Sequence, residues 1–192
     1  MPFLYIIAGC NGAGKTTASY TVLPEMLNCR EFVNADEIAK GLSPFQPETV
    51  AFEAGRIMLS RINELLRNKV DFAFETTLST KSYKQLMVRA KAEGYKIVLI
   101  FFWLESVALA RERVRDRVKK GGHNVSVEVI ERRYGRGLQN LFSFVPLVDH
   151  WVIWDNSHGQ SSIIAEGNRT LAITVHNDDI WERIKAYEPG RN

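Results

Sequence analysis

Short apolar runs and longer amphipathic stretches alternate along almost the whole chain. Residues 3–8 read Phe3-Leu4-Tyr5-Ile6-Ile7-Ala8, an unbroken apolar run of the kind a strand buried on both faces requires. Residues 96–104 form the strongest strand pattern, with no breaker inside it. Shorter strand patterns lie at 31–36, which ends in polar residues, at 71–76 and at 151–154. Helical spacing fills the intervals: 15–22; 48–67, where Val50, Ile57, Leu59, Ile62 and Leu66 recur; 82–93, stopped by Gly94; 106–120; and 127–142, capped by Ser126. Ser43-Pro44 and Gln46-Pro47 mark a loop over 42–47. Two short strands near 163–165 and 171–175 and a helix over 178–186 finish the pattern, and the tail after Glu188 is expected to fray. Such alternation predicts an α/β fold: a mostly parallel sheet with helices on both faces.

A chain of 192 residues suits one domain with a sizeable core, so residues 1–192 are read as a single unit. The net charge of +3 suits acidic small molecules and gives little reason to expect nucleic acid as a partner. Cys10 and Cys29 belong to no C-x-x-C or zinc-spaced cluster, which points to a reducing cytosol. The N-terminus carries no basic leader segment, and its apolar run is too short to span a bilayer, so the expectation is cytoplasmic with no membrane partner.

The chemistry begins where the first strand pattern ends. Gly9-Cys10-Asn11-Gly12-Ala13-Gly14-Lys15-Thr16 is a complete G-x-x-x-x-G-K-[ST] phosphate-binding loop, followed by Thr17 and a helical pattern. The glycines let the backbone turn its N–H groups toward phosphate oxygens. Lys15 brings a compact positive charge to the β- and γ-phosphates, and the Thr16 hydroxyl is a ligand for Mg²⁺. The helix that follows aims its positive dipole end at the same place. The fold class thereby narrows to a P-loop NTPase fold, with ATP and Mg²⁺ as expected cofactors. Cys10, beside that helix end, is expected to have a lowered pKa and to be oxidisable.

In open parallel sheets ligands sit at the carboxyl ends of the strands. Those ends carry the loop, then Asp36 preceded by Asn34, then Glu75-Thr76-Thr77, then Leu104-Glu105. Carboxylates gathered beside a phosphate site repel its charge, so magnesium coordination or proton abstraction is the reason to place them there. Each also has a plainer reading. Asp36 could cap the next helix, Glu75 could pair with a helix arginine, and Glu105 could cap the helix beginning at Ser106 rather than act as a Walker-B acid. Glu75, after Phe72-Ala73-Phe74, is the better candidate of the last two.

Residues 106–142 read as a lid: two helices with Arg111, Arg113, Arg115 and Arg117 before a Gly121-Gly122-His123-Asn124 break, and Arg132, Arg133 and Arg136 after it. A solvated charged helix with Glu112 and Asp116 as local partners is the alternative for any one arginine. His123 either touches phosphate or substrate or decorates the loop. His150, His158 and His176 stand at no metal-ligand spacing and are read as structural. Met58, Met87, Trp103 and Trp151 are read as core, and Asp155-Asn156-Ser157 as lying near the nucleotide base.

Together these residues resemble the zeta-toxin family of P-loop kinases, and especially its short bacterial branch. The resemblance rests on the loop with Thr17, on Phe32-Val33-Asn34-Ala35-Asp36-Glu37-Ile38, on Phe74-Glu75-Thr76-Thr77, and on Gly121-Gly122-His123 followed by Arg132-Arg133-Tyr134. It covers residues 3–157 and leaves 158–192 as an extension of unassigned role. It implies transfer of the ATP γ-phosphate to the sugar 3′-hydroxyl of UDP-N-acetylglucosamine. It further implies Asp36 as general base, Glu75 and Thr77 as holders of the sugar nucleotide, and Arg113 as first lid arginine. An antitoxin protein is an implied partner. Where the toxins carry a second lid arginine this chain has His123 or its neighbours, and Arg117, Arg133 and Arg136 are the candidates to act there. Two rival readings stand beside the kinase: a polynucleotide 5′-kinase, and a nucleotide-switched module that binds ATP and hydrolyses it slowly.

Overall fold

The computed structural model of the chain describes residues 1–122, 124–169 and 173–190. Its elements are β1 (Phe3–Gly9), α1 (Lys15–Thr21), β2 (Glu31–Val33), α2 (Ala35–Leu42), α3 (Ala51–Asn68), β3 (Phe72–Thr76), α4 (Tyr83–Ala92), β4 (Lys96–Trp103), α5 (Val107–Lys119), α6 (Val127–Phe144), β5 (His150–Asp155), β6 (Ser162–Asn168), β7 (Ile173–Val175) and α7 (Asp178–Lys185). One sheet holds the strands in the order β2-β3-β1-β4-β5-β6-β7. The first five pair in parallel, and β6 and β7 add on antiparallel.

The unbroken apolar runs become the central strands. Consecutive residues Leu4, Tyr5, Ile6, Ile7 and Ala8 of β1 are all buried. Side chains on a strand alternate between faces, so both faces of the sheet are covered there. β4 is buried in the same way from Leu99 through Trp103. The carboxyl ends of β1, β2 and β3 then open together at one rim, which the loop after β1 crosses.

Several local features depart from the sequence pattern for identifiable reasons. β2 stops at Val33, because Asn34 caps α2: its side chain accepts from the Asp36 and Glu37 amides. Asp36 therefore stands in the first turn of α2 and not at a strand end. α1 gives way to a π-helical stretch over Val22–Met26, where Pro24 supplies no backbone donor. In α3 the buried stripe is Ala54, Met58, Ile62, Leu65 and Leu66, while Ile57 and Leu59 face outward. Ala54, Met58, Ile62 and Leu65 recur every three to four residues on one face, and the apolar residues on other faces stay in solvent.

The 106–142 stretch is not a uniform flap. α6 buries Ile130, Tyr134, Gly137, Leu138, Asn140, Leu141 and Phe144, which makes most of it a core helix. The final residues extend the sheet edge. Trp181 of α7 stacks on Trp151 of β5 at 5.8 Å between ring centroids. Arg183 lies over the Trp103 ring and donates to the Glu105 carbonyl oxygen at 2.8 Å. Among the described residues no helix is long and apolar enough to cross a membrane.

Candidate active site

The loop after β1 closes on its own lysine. Lys15 is buried, and its ammonium donates to the Cys10 carbonyl at 2.9 Å while lying 3.4 Å from Glu75 Oε1. The next residue meets the same carboxylate: Thr16 Oγ1 donates to Glu75 Oε2 at 2.7 Å. Glu75 is the penultimate residue of β3, the strand paired with β1 in the register Ile7 opposite Glu75, so the sheet itself sets carboxylate and loop side by side. Of the readings open for Glu75, pairing with a helix arginine is replaced by pairing with Lys15 and Thr16. These are hard oxygen donors beside a lysine, the set that Mg²⁺ takes together with phosphate oxygens.

Asn34 completes the cluster from the other side. Its Nδ2 donates to Glu75 Oε2 at 2.9 Å and to Thr16 Oγ1 at 3.3 Å. Its Oδ1 accepts from the Asp36 and Glu37 amides. The helix cap entertained for Asp36 thus belongs to Asn34, which leaves the Asp36 carboxylate free to face the rim.

Two clefts meet here. The larger, about 520 Å³, is lined by Asn11, Gly12, Gly14, Lys15, Thr16, Thr17, Arg113 and Arg117 among others. The smaller, about 220 Å³, is lined by Met58, Thr77, Ser79, Thr80, Tyr83 and Arg133 among others. Asn11, Lys15, Asp36 and Glu75 border both. The first cleft has the shape and charge of a phosphate site, and the second opens on polar hydroxyl-bearing side chains at the far side of Asp36.

The arginines divide between the two. α5 packs directly on the loop, because a Cβ on Gly12 would stand 2.9 Å from the Ala110 carbonyl oxygen and 3.2 Å from Arg113 Cβ. That close approach roots Arg113 beside the phosphate cleft, where its Nη2 donates to the Ser157 carbonyl at 2.9 Å. Arg133, from α6, reaches the smaller cleft and donates to Asn11 Oδ1 at 3.2 Å. Burial holds its guanidinium below the usual arginine pKa, and the Asp36 carboxylate opposes that shift. Arg132 and Arg136 are exposed and line neither cleft, so of the three arginines after the glycine break only Arg133 comes to the site. His123 lies outside the described residues.

Other expectations are revised. Glu105 takes no part in either cleft: Ser106 caps α5 by accepting from the Leu109 amide, and the Glu105 carboxylate stands 3.8 Å from His158. Cys10 is not activated. Burial pushes its thiol up to about 11, against the opposing pull of Lys15, so the thiolate is scarce at neutral pH. Met58 is core, as expected, but also lines the smaller cleft.

Side chains outside the loop hold the site in shape, beginning with Asn156 of the Asp155-Asn156-Ser157 run expected near the nucleotide base. Asn156 Nδ2 donates to the Ala13 carbonyl at 2.7 Å and so braces the loop from the end of β5. The turn after β3 carries Leu78 at φ 56, a left-handed conformation that a leucine adopts only under constraint. The constraint comes from α6: Asn140 Nδ2 donates to the Leu78 carbonyl at 2.8 Å, and a Cβ on Gly137 would stand 2.7 Å from the Thr77 carbonyl oxygen. This turn presents Thr77, Ser79 and Thr80 to the smaller cleft. A glycine inside a helical pattern costs about 1 kcal/mol against alanine, so Gly137 was the sequence signal of a close approach.

Sheet order and loop together define an α/β P-loop protein of the kinase type. The chain belongs to the zeta-toxin family, whose model matches residues 1–166. An uncharacterized protein of Haemophilus influenzae is 29% identical over 127 residues, 66% of this chain and 88% of that one. Among solved structures, a chain of the AvrRxo1-ORF1:AvrRxo1-ORF2 complex with sulphate ions aligns with a TM-score of 0.77 at 16% identity, over 100% of this chain and 65% of that one. The same complex solved with ATP aligns at 0.76 and 17% identity, again over 100% of this chain and 65% of that one. This chain thus spans about two thirds of the length of that neighbour. A chain of the PezAT toxin-antitoxin system of Streptococcus pneumoniae aligns at 0.69 and 15% identity, over 100% of this chain and 80% of that one. These structures share the fold; the family match carries the kinship.

Proposed function

We propose that this chain is an ATP-dependent phosphotransferase that passes the γ-phosphoryl group to a hydroxyl of a small acceptor, a nucleotide sugar such as UDP-N-acetylglucosamine. The observation that carries the reading is the pair of clefts that meet on Asn11, Lys15, Asp36 and Glu75. A nucleotide switch needs only the first cleft, whereas a kinase needs a second one with a base at the border.

In this reading the loop amides and Lys15 hold the ATP phosphates in the larger cleft. Thr16 and Glu75 would hold Mg²⁺, which when bound spreads the charge of the β- and γ-phosphates. Thr77 and its neighbours orient the acceptor hydroxyl. That oxygen attacks the γ-phosphorus in line, the bond to the β–γ bridging oxygen breaks with its electron pair left on ADP, and the hydroxyl proton passes to Asp36. Arg113 stabilises charge on the transferring group after leaving the Ser157 carbonyl, and Arg133 does so from the acceptor side. An antitoxin protein is the partner the family membership suggests, and a reducing cytoplasm is the compartment.

The test is a phosphorylation screen with γ-labelled ATP against nucleotide sugars, nucleosides and RNA ends. Label on a nucleotide sugar, lost in Asp36→Asn, is the expected result. Label on RNA ends alone would turn the reading to a polynucleotide kinase. Slow hydrolysis with no acceptor labelled, insensitive to Asp36→Asn, would turn it to a switch.

A further inference from the structure

We propose that Asn34 is a positioning residue that couples the phosphate end of the site to the helix carrying Asp36. The inference rests on the reading of Asp36 as base and of Thr16 with Glu75 as the magnesium end. Asn34 is 6% exposed, and its side chain uses both ends of its amide. The oxygen accepts from the Asp36 amide at 2.8 Å and the Glu37 amide at 3.4 Å. The nitrogen donates to Glu75 Oε2 at 2.9 Å and Thr16 Oγ1 at 3.3 Å. One planar group thus ties together the start of α1, the end of β3 and the start of α2.

The residue type decides what is being selected. A helix cap needs only an acceptor, and serine, aspartate and asparagine serve about equally there. The second half of the contact is met by asparagine and not by the others. A serine hydroxyl spent on the α2 amides ends short of Glu75. An aspartate would put a second carboxylate in hydrogen-bond range of Glu75, where two like charges share a proton. Asparagine caps the helix and donates to the carboxylate at once, with no charge of its own beside the phosphates.

The consequence is geometric. Asp36 and Glu37 follow Asn34 directly, so a shift of Thr16 or Glu75 on binding ATP and Mg²⁺ is carried into the first turn of α2. Reacting groups misplaced by about 1 Å lose roughly 10²-fold in rate, so a tie of this kind governs transfer without touching substrate.

Two variants separate the cap from the coupling. Asn34→Ala loses both, and its melting temperature falls by a few degrees; Asn34→Ser keeps the cap and melts near the parent. In calorimetry, Asn34→Ser binds ATP in EDTA as the parent does, while the gain in affinity on adding Mg²⁺ shrinks about tenfold or more. Its single-turnover transfer at saturating ATP falls with it. A serine variant equal to the parent in magnesium-dependent affinity and transfer overturns the coupling and leaves a helix cap only. The calorimetric arm needs no acceptor, so a parent that phosphorylates nothing ends the kinase reading while the coupling is still decided by ATP and Mg²⁺ alone.

Discussion

The two clefts are made from different materials. The phosphate cleft is centred on one contiguous run that supplies Asn11, Gly12, Gly14, Lys15, Thr16 and Thr17, to which α5, packed on Gly12, adds Arg113 and Arg117 and the shared border adds Asp36 and Glu75. The smaller cleft, proposed to take the acceptor, is gathered from Asn11, Asn34, Asp36, Met58, Glu75, Thr77, Tyr83 and Arg133, which lie on separate stretches of the chain. A site made by a backbone conformation needs a fixed run of glycines and so leaves a pattern in sequence. A site made by side chains that meet only in space leaves none. The first kind recurs across many proteins, and the second carries what is particular to one.

The sharpest way to break this division is at Asp36, which borders both clefts. Asp36→Asn keeps the shape and removes the basicity. Transfer to the acceptor should fall by about 10²–10⁴-fold, the usual worth of a general base. ATP affinity should stay, because Lys15 and Thr16 contact Glu75 and the Cys10 carbonyl and not Asp36. Single-turnover transfer beside calorimetry reads the two effects separately. A loss of ATP affinity as large as the loss of transfer would mean that the two clefts are one.

A smaller effect of the same kind is expected on the phosphate side. Arg113 rests on the Ser157 carbonyl at the cleft wall, within reach of charge that develops during transfer. Arg113→Ala should lower kcat by about 10²-fold while the ATP Kd changes little, since such groups act on transition-state charge. Unchanged turnover would shift the role to Arg117, which lines the same cleft, or to Arg133 across the border. Lys15→Ala reverses the pattern. It removes a charged contact made in ground and transition state alike, so the ATP Kd itself should rise about tenfold or more. Equal affinities by calorimetry would sink the assignment of the loop.

The same division explains how much was legible beforehand. The order of strands and helices followed from apolar runs, because a buried parallel strand tolerates no polar interruption. The loop followed from its glycines. Asp36 and Glu75 were singled out because strand ends point to the crevice, and both border the clefts, although β2 stops at Val33 and Asp36 stands in the first turn of α2. What escaped depended on distance in sequence. Nothing local to Asn156 says that it will brace Ala13, and nothing near Asn140 says that it will hold Leu78. Cys10 was misjudged for a related reason: its helix-end position was visible, but its burial under the neighbouring elements was not.

Thr77 gives the finest test of the acceptor side. It begins the turn that α6 holds in place, and its hydroxyl lies 2.9 Å from that of Ser79 at the wall of the smaller cleft. In the proposed reaction it orients the acceptor through a neutral hydrogen bond, worth about 0.5–1.5 kcal/mol net, or roughly two- to tenfold in affinity. Thr77→Ala should therefore raise the acceptor KM by about that factor and leave the ATP KM unchanged, because Thr77 does not line the phosphate cleft. Thr77→Ser keeps the hydroxyl and should restore the parent value, which separates the bond from the shape of the turn. Steady-state kinetics with each substrate varied in turn reads the difference. If Thr77→Ala raises the KM for ATP and acceptor together, the turn supports the whole rim and the acceptor-side cleft has no independent identity.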